Sequence, residues 1–406
     1  MPVEFKQMIV LLCLFALPLT ATAHLPQLYG AKFLRAPLDT PSQAPDCGSG
    51  VDPSDEDANR QRRQIEEIES RQGSYGGELA EPLTDLGRHY RNRGDYVEAE
   101  RLYTRALHLV RINEGLNSEL QLVLLKDLAA TYRLKGDLNR ADEIEGQVFR
   151  LQGGGRPPHG KREIEASLHY MAWQRQAHSL GLEGYNLQRL LEAYLLNERL
   201  LASLAQNERT GEDDYTQLIF SQLSNLYQIL GTDFQESATH SVASSTELHP
   251  SQSASPLYVR QRIARIQIKG VRKGHDLLDE LLSMVGPEEK LHRASLLLEM
   301  GDWYQWNGEP HKAVRDYAEL ERILASQDDP GLVEKWLGAP TELPSRGPQR
   351  QIGTDAAVME PGAVTTVFDV SARGQVEQIE VIALSRESAD REARIKRFLA
   401  ETHFRP

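Results

Sequence analysis

The chain has 406 residues, 40% of them hydrophobic and 26% charged, with 59 acidic against 46 basic side chains and a formal net charge of −13. Such a balance favours solubility and excludes general nucleic-acid binding. Its length suits one long helical array plus one small extra domain. Residues 1–23 have the layout of a secretory signal peptide: Lys6 in a short n-region, the apolar run Met8–Leu19, then Ala21-Thr22-Ala23 before a cleavage point. The alternative is an uncleaved anchor, but the run is shorter than the roughly 20 residues a span needs, and Pro18 interrupts it. Cleavage would remove Cys13 and leave Cys47, so no internal disulfide is expected. Residues 24–56, rich in Pro, Ser and Asp, read as a disordered linker.

A helix is predicted from Asp57 to about Gln72, with Ile65 and Ile68 on one side and Arg60, Arg62 and Arg63 on the other. It would cap the exposed apolar face of the helices after it. Residues 80–148 organise the rest of the chain. Leu83, Leu86, Gly87 and Tyr90 fall at i, i+3, i+4 and i+7 on one helix. Gly94-Asp95 ends it and caps a second helix, lined by Ala99, Tyr103 and Ala106. Leu125, Leu128, Ala129, Tyr132, Gly136, Ala141 and Val148 return at the same offsets, 42 residues on. Small side chains at Gly87 and Ala129 let a neighbouring helix come close. These residues resemble the tetratricopeptide repeat pattern, in particular its long-period, kinesin-light-chain-like variants, the usual repeat being about 34 residues.

Farther along, residues 163–181 and 184–206 read as a longer helical pair with Leu190, Leu191, Tyr194, Leu195 and Leu201 buried. Tyr215–Gly231 looks like a single first helix of a repeat, followed by a Ser-rich loop at 237–256 and helices at Leu257–Lys269 and His275–Val285. The pattern then returns as Leu297, Met300, Gly301, Tyr304, Gly308, Ala313, Tyr317 and Leu320 within 294–327, with Pro310 near the start of its second helix. The resemblance thus implies a mainly α chain, a tetratricopeptide-type α–α superhelix over 57–236 and 257–327, with a small α+β segment at its carboxyl end.

Residues 328–361 read as a Pro-rich linker, and 362–406 as two strands and a helix. Val364–Ser371 and Val376–Leu384 alternate as strands do, around an Arg373-Gly374 turn. A helix over Glu387–Thr402 would turn Ala393, Phe398 and Leu399 inward. Val364-x-x-Val367-Phe368-x-Val370, Gly374-x-Val376, Val381 and Phe404-Arg405-Pro406 resemble the carboxyl-terminal domain of TonB-like energy transducers, a family that continues into a further strand. A hairpin with one helix is marginal alone, so the segment is expected to dock on the helical array or to be a remnant.

Catalytic constellations are absent from the sequence. Gly155–Lys161 matches GxxxxGK, but Arg162 stands where a Ser or Thr would hold magnesium, and a predicted helix, not a strand, precedes the loop. His169 and His178 lack partners at metal-ligand spacing, and no HExxH, CxxC pair or GxSxG occurs. No enzyme activity, cofactor or metal is expected. In the tetratricopeptide family, ligands line first-helix positions 2, 5, 9, 12 and 13. The resemblance carries these onto Glu81, Thr84, Arg88, Arg91 and Asn92; Val123, Lys126, Ala130, Arg133 and Leu134; and Ser295, Leu298, Asp302, Gln305 and Trp306. Arg88, Arg91, Lys126 and Arg133 then form either a cationic patch for an acidic or carboxylate-bearing peptide, or solvated residues balanced by neighbouring acids. Trp306 either meets a guest or packs under Lys312. The expectation is an exported, non-catalytic scaffold in the periplasm of a Gram-negative bacterium. It would bind protein or peptide partners on its concave face and meet the membrane only indirectly. The alternative is a component of TonB-type transport that uses its tail to bind an outer-membrane receptor.

Overall fold

The computed structural model describes residues 55–182, 187–205, 212–232, 256–338, 341–344, 364–371, 373–384 and 389–405. The expected signal peptide, the linker at 24–54 and most of the Ser-rich loop lie outside them. The described residues divide into two compact units: a repeat-pair unit drawn from 55–177 and 196–214, and a tail-bearing unit drawn from 178–195 and 215–405.

The repeat-pair unit opens with α1 (Asp55–Gln72), whose Ala58, Ile65 and Ile68 are buried and which packs on α2 (Ala80–Asn92). Next come α3 (Tyr96–Glu114), α4 (Gln121–Lys135) and α5 (Leu138–Leu151), each packed on its predecessor. The two predicted turns form as the sequence requires. Gly94 and Gly136 take φ of +83° and +82°, where other residues are strained. Asp95 and Asp137 then cap the following helices, accepting from the N–H of Glu98 at 3.2 Å and of Arg140 at 3.3 Å. Leu83, Leu86, Ala99, Tyr103, Leu125, Leu128 and Ala141 are buried. A buried Leu contributes about 1.5–3 kcal/mol, against about 1–2 kcal/mol of backbone entropy per ordered residue. One hairpin is therefore marginal, and stacking the next on it decides stability.

The register inside each hairpin is set sixteen residues apart. A Cβ on Gly87 would lie 2.8 Å from the Tyr103 ring, and one on Gly301 would lie 2.3 Å from the Tyr317 ring. In the second hairpin Ala129 replaces the glycine, and the matching partner position holds Glu145, which has no ring to clash with the extra methyl. Glu145 is buried between α4 and α6 (Lys161–Ser179), its oxygens 2.5 Å from Arg133 Nη1 and 2.9 Å from His169 Nε2. Burial pushes its carboxyl up, but the hydrogen bond and charge of His169, with the charge of Arg133, hold it below its ordinary 4.5. Tyr170 stacks on Phe149 at 4.0 Å, and Trp173 Nε1 donates to Asp142 at 2.6 Å, so α6 continues the array within this unit.

Helices α7 (Leu187–Leu204) and α8 (Glu212–Gly231) straddle the division, with Leu190, Leu191, Tyr194 and Leu201 buried as expected and Leu195, also expected inside, half-buried. In the tail-bearing unit, one helix, α9 (Pro256–Met284), replaces the two predicted across this stretch. The sequence suggested a break at Gly270 and Gly274; they are contact points instead. A Cβ on Gly274 would lie 2.2 Å from the indole of Trp303, whose Nε1 donates to the Val271 carbonyl at 2.9 Å. The last predicted hairpin is α10 (Lys290–Trp306) and α11 (Pro310–Ala325), with Pro310 in the first turn. A short helix, α12 (Leu332–Leu337), lies within the expected linker. Its Trp336 seals the end of the core formed by Ala294, Leu297, Leu298, Leu320 and Leu324.

The tail holds β1 (Thr341–Glu342), β2 (Val364–Val370), β3 (Val376–Leu384), α13 (Ala389–Glu401) and β4 (Phe404–Arg405). β2 and β3 form the expected antiparallel hairpin, and β1 pairs antiparallel with β4, a pairing the sequence did not suggest. Ladder irregularity opposite Phe368, with Gln378 at φ +52°, turns both Val376 and Ile379 toward one small core with Phe368, Leu399 and Phe404. The inward face of α13 is Ile395 and Leu399. Ala393 and Phe398, expected inside, are exposed, because they are two and one residues off that i, i+4 line.

Replacing Gly301 by Val forces the Tyr317 ring aside; the expected loss is about 1–3 kcal/mol in urea unfolding. Glu145→Gln strands Arg133 beside a neutral group, at a cost of about 3 kcal/mol. Because the folded pKa of Glu145 is depressed, its contribution is complete above pH 4.5 and disappears as pH falls through the lower folded value. Wild-type stability should thus fall more steeply below pH 4.5 than that of the Gln variant; parallel acid-unfolding curves would contradict this.

Candidate functional site

The residues expected to bind a guest separate into two groups, one in each unit. In the repeat-pair unit they lie on α2 and α4. Arg88 Nε reaches Asp127 Oδ2 at 3.1 Å, and its Nη1 reaches Asp85 at 3.2 Å. Arg91 Nη1 meets the other oxygen of Asp127 at 2.7 Å. One carboxylate on α4 thus ties two guanidiniums of α2 to the next hairpin. Arg133 faces Glu145 and lies 5.9 Å from the Trp173 ring centroid. Three of the four expected cations therefore have carboxylate partners inside the unit. Lys126 is exposed, without an ion pair among the described residues, and Asn92 is exposed beside Arg91. Thr84 is buried and donates to the Ala80 carbonyl at 2.6 Å.

The feature that charge alone does not reveal is apolar. α4 buries Gln121, Leu124, Leu125, Leu128, Ala129, Thr131 and Tyr132, yet leaves Val123 54% and Leu134 45% exposed. With Ala130 between them, these lie at i, i+7 and i+11, so they share one helix face. Both occupy expected ligand positions, and the sequence held the signal: two aliphatic residues where a solvated face would be polar.

In the tail-bearing unit the five expected positions are on α10; Ser295 is half-buried, and the other four are covered. Leu298, Asp302, Gln305 and Trp306 are all buried. Trp306 Nε1 donates to the Pro344 carbonyl at 2.7 Å. The Lys312 ammonium lies over Tyr304 instead, 5.0 Å from its ring centroid. Gln305 donates to the Arg373 carbonyl, and Asp302 accepts from Arg405 Nε at 2.7 Å. The chain's own tail thus occupies the face that the repeat pattern assigns to a guest.

The loop at 155–161 follows helix α5, and His159 Nδ1 lies 3.0 Å from Ser203 Oγ. Among the described residues no group of three or more His, Cys, Asp or Glu is placed to hold a metal, and no helix is long and apolar enough to cross a membrane.

Residues 78–152, the first two hairpins, match the tetratricopeptide repeat family. No curated protein matches the chain. Among solved structures, it is similar to the kinesin-light-chain TPR-like repeats of Podosopora anserina, with 17% identity, 63% of this chain and 99% of that one covered, and a TM-score of 0.37. It is also similar to BtubC (BKLC) of P. vanneervenii, with 14% identity, 66% and 89% covered, and a TM-score of 0.36. The fold rests on the family match and on the helix packing, glycine contacts and caps described above: the chain is mainly α, with tetratricopeptide-type hairpins and a small α+β segment at its carboxyl end.

Proposed function

We propose that the protein is a non-catalytic scaffold that seats a protein or peptide partner on the open face of α4 and the adjoining end of α2. Tetratricopeptide repeats generally bind protein partners, and the observation that carries the reading is the pair of exposed aliphatic residues Val123 and Leu134, with half-buried Ala130 between them, beside Lys126. Aliphatic side chains that the unit's own packing leaves out, rimmed by polar groups, are what an interaction surface presents. Lys126 adds cationic character, while Arg88, its side chain 41% exposed, is already paired with Asp85 and Asp127. The favoured guest therefore combines apolar side chains with a carboxylate. Because Asp127 and Glu145 already neutralise Arg91 and Arg133, apolar contact supplies most of the affinity and charge supplies orientation.

Export to the periplasm is part of the proposal and draws its support from the amino-terminal pattern at residues 1–23. A second reading, that the tail adds a strand to an outer-membrane receptor in TonB-type transport, draws support from the β2–β3 hairpin packing on α13 around its own core. Against it, Phe404 and Arg405 are already paired with β1 and turned inward.

Capture from a cell-envelope extract tests the first reading. Val123→Glu with Leu134→Glu should lose the partners that wild type retains while keeping its helical circular dichroism; identical partner sets overturn it. Ile382→Glu, on the exposed side of β3, should leave capture intact on the first reading and weaken it on the second. For export, intact mass of the protein from the envelope fraction should correspond to a chain starting at His24; retention of residues 1–23 would contradict cleavage.

A further inference from the structure

The cleft that the tail fills on α10 is chemically specific. Asp302 is fully buried and takes the repeat position that Arg88 holds in the first hairpin. Its carboxylate accepts both Nε and Nη2 of Arg405, a two-pronged pairing that fits a guanidinium fork and not an ammonium. The Tyr317 hydroxyl donates to the same Oδ1 at 2.8 Å, fixing the carboxylate's orientation. Glu299, one turn earlier, is also buried, and its Oε2 has no hydrogen-bond partner among the described residues. Burial and the Asp302 charge hold Glu299 well above the ordinary carboxylate range, and Arg405 opposes this only in part. The cleft therefore holds two carboxyls for one guanidinium.

The backbone around it is arranged to receive an extended segment. Phe404 N–H donates to the Gly374 carbonyl at 2.7 Å, and Leu343 N–H donates to the His403 carbonyl at 2.8 Å. A Cβ on Gly374 would lie 1.8 Å from the Phe404 oxygen, so the turn can come this close only as glycine. Phe404 enters the apolar cluster of Phe368, Val376 and Leu399 while Arg405 points to Asp302. The β1–β4 ladder spans only two residues on each strand. A buried ion pair adds little net stability, because desolvation offsets most of its Coulomb gain. The tail is thus held by geometry more than by strength.

We propose that the α10 cleft is a binding site for an extended peptide bearing an aromatic–arginine pair, and that Phe404-Arg405 is its resident ligand, exchangeable for the same motif on a partner. This rests on reading the protein as a partner-binding scaffold and gives it a second seat of opposite charge preference. Tethering holds the tail at an effective concentration on the order of millimolar, so a free peptide at micromolar concentration should not displace it.

The probe is a fluorescent synthetic peptide of residues 400–406, followed by anisotropy. The full chain carrying Phe404→Ala with Arg405→Ala should bind it at least about tenfold more tightly than wild type does. Adding Asp302→Asn should abolish that gain. Failure of a normally helical double variant to bind, or equal binding after Asp302→Asn, overturns the proposal. If the double variant does not fold, hydrogen exchange on wild type decides. Millimolar peptide should speed exchange at the chain's own Phe404 amide at least about tenfold, and an unchanged rate there overturns the proposal. The Val123→Glu, Leu134→Glu protein should bind the peptide as its parent does, so failure at α10 and failure at α4 are distinguishable.

Discussion

The structure depends on how closely two helices of a hairpin can approach at one point. Where the first helix offers no side chain, as at Gly87 and Gly301, an aromatic ring from the second lies against bare backbone. That contact fixes the rotation of both helices at once. The leucine stripes then have to face the neighbouring elements, and the remaining face of the first helix has to stay out of the hairpin's core. Binding positions are in this sense a by-product of packing: they are the residues the close approach leaves over.

The two units use that leftover face differently. On α4 it stays open, with aliphatic residues among paired charges. On α10 the same positions carry Asp302, Gln305 and Trp306, and the chain's own tail lies on them. One backbone arrangement therefore serves as an outward surface in one place and as an anchor for a small α+β element in another. The side chains at a few repeat positions make the difference. The face with arginines satisfies them within the array, whereas the face with buried carboxyls takes its arginine from 103 residues away.

Much of the fold was legible in the sequence because its determinants are local. Helix stripes, Gly-Asp turns and the return of the pattern at Leu297–Leu320 need only near neighbours in the chain. Sequence and structure part where a residue's role is set by distant partners. Gly270 and Gly274 look like helix breaks until Trp303 and Leu230 are seen against them. The cationic patch looks free in sequence because Asp127 and Glu145 come from other helices. The ladder of Phe404-Arg405 with Thr341-Glu342 leaves no periodic trace, since two residues cannot show a period. The apolar α4 face, by contrast, is readable at Val123 and Leu134, although the charged residues between them mask it.

The substitution of Ala129 and Glu145 for a glycine and a tyrosine has an evolutionary corollary. A tyrosine opposite Ala129 would collide with its methyl, while a glutamate opposite Gly87 would find Arg91 in the place of Arg133 but the like charge of Asp127 in the place of His169. Neither site can therefore drift alone without loss. Lineages would have to cross between the two solutions by linked changes, and the hairpins of such an array should diverge in correlated jumps, not residue by residue.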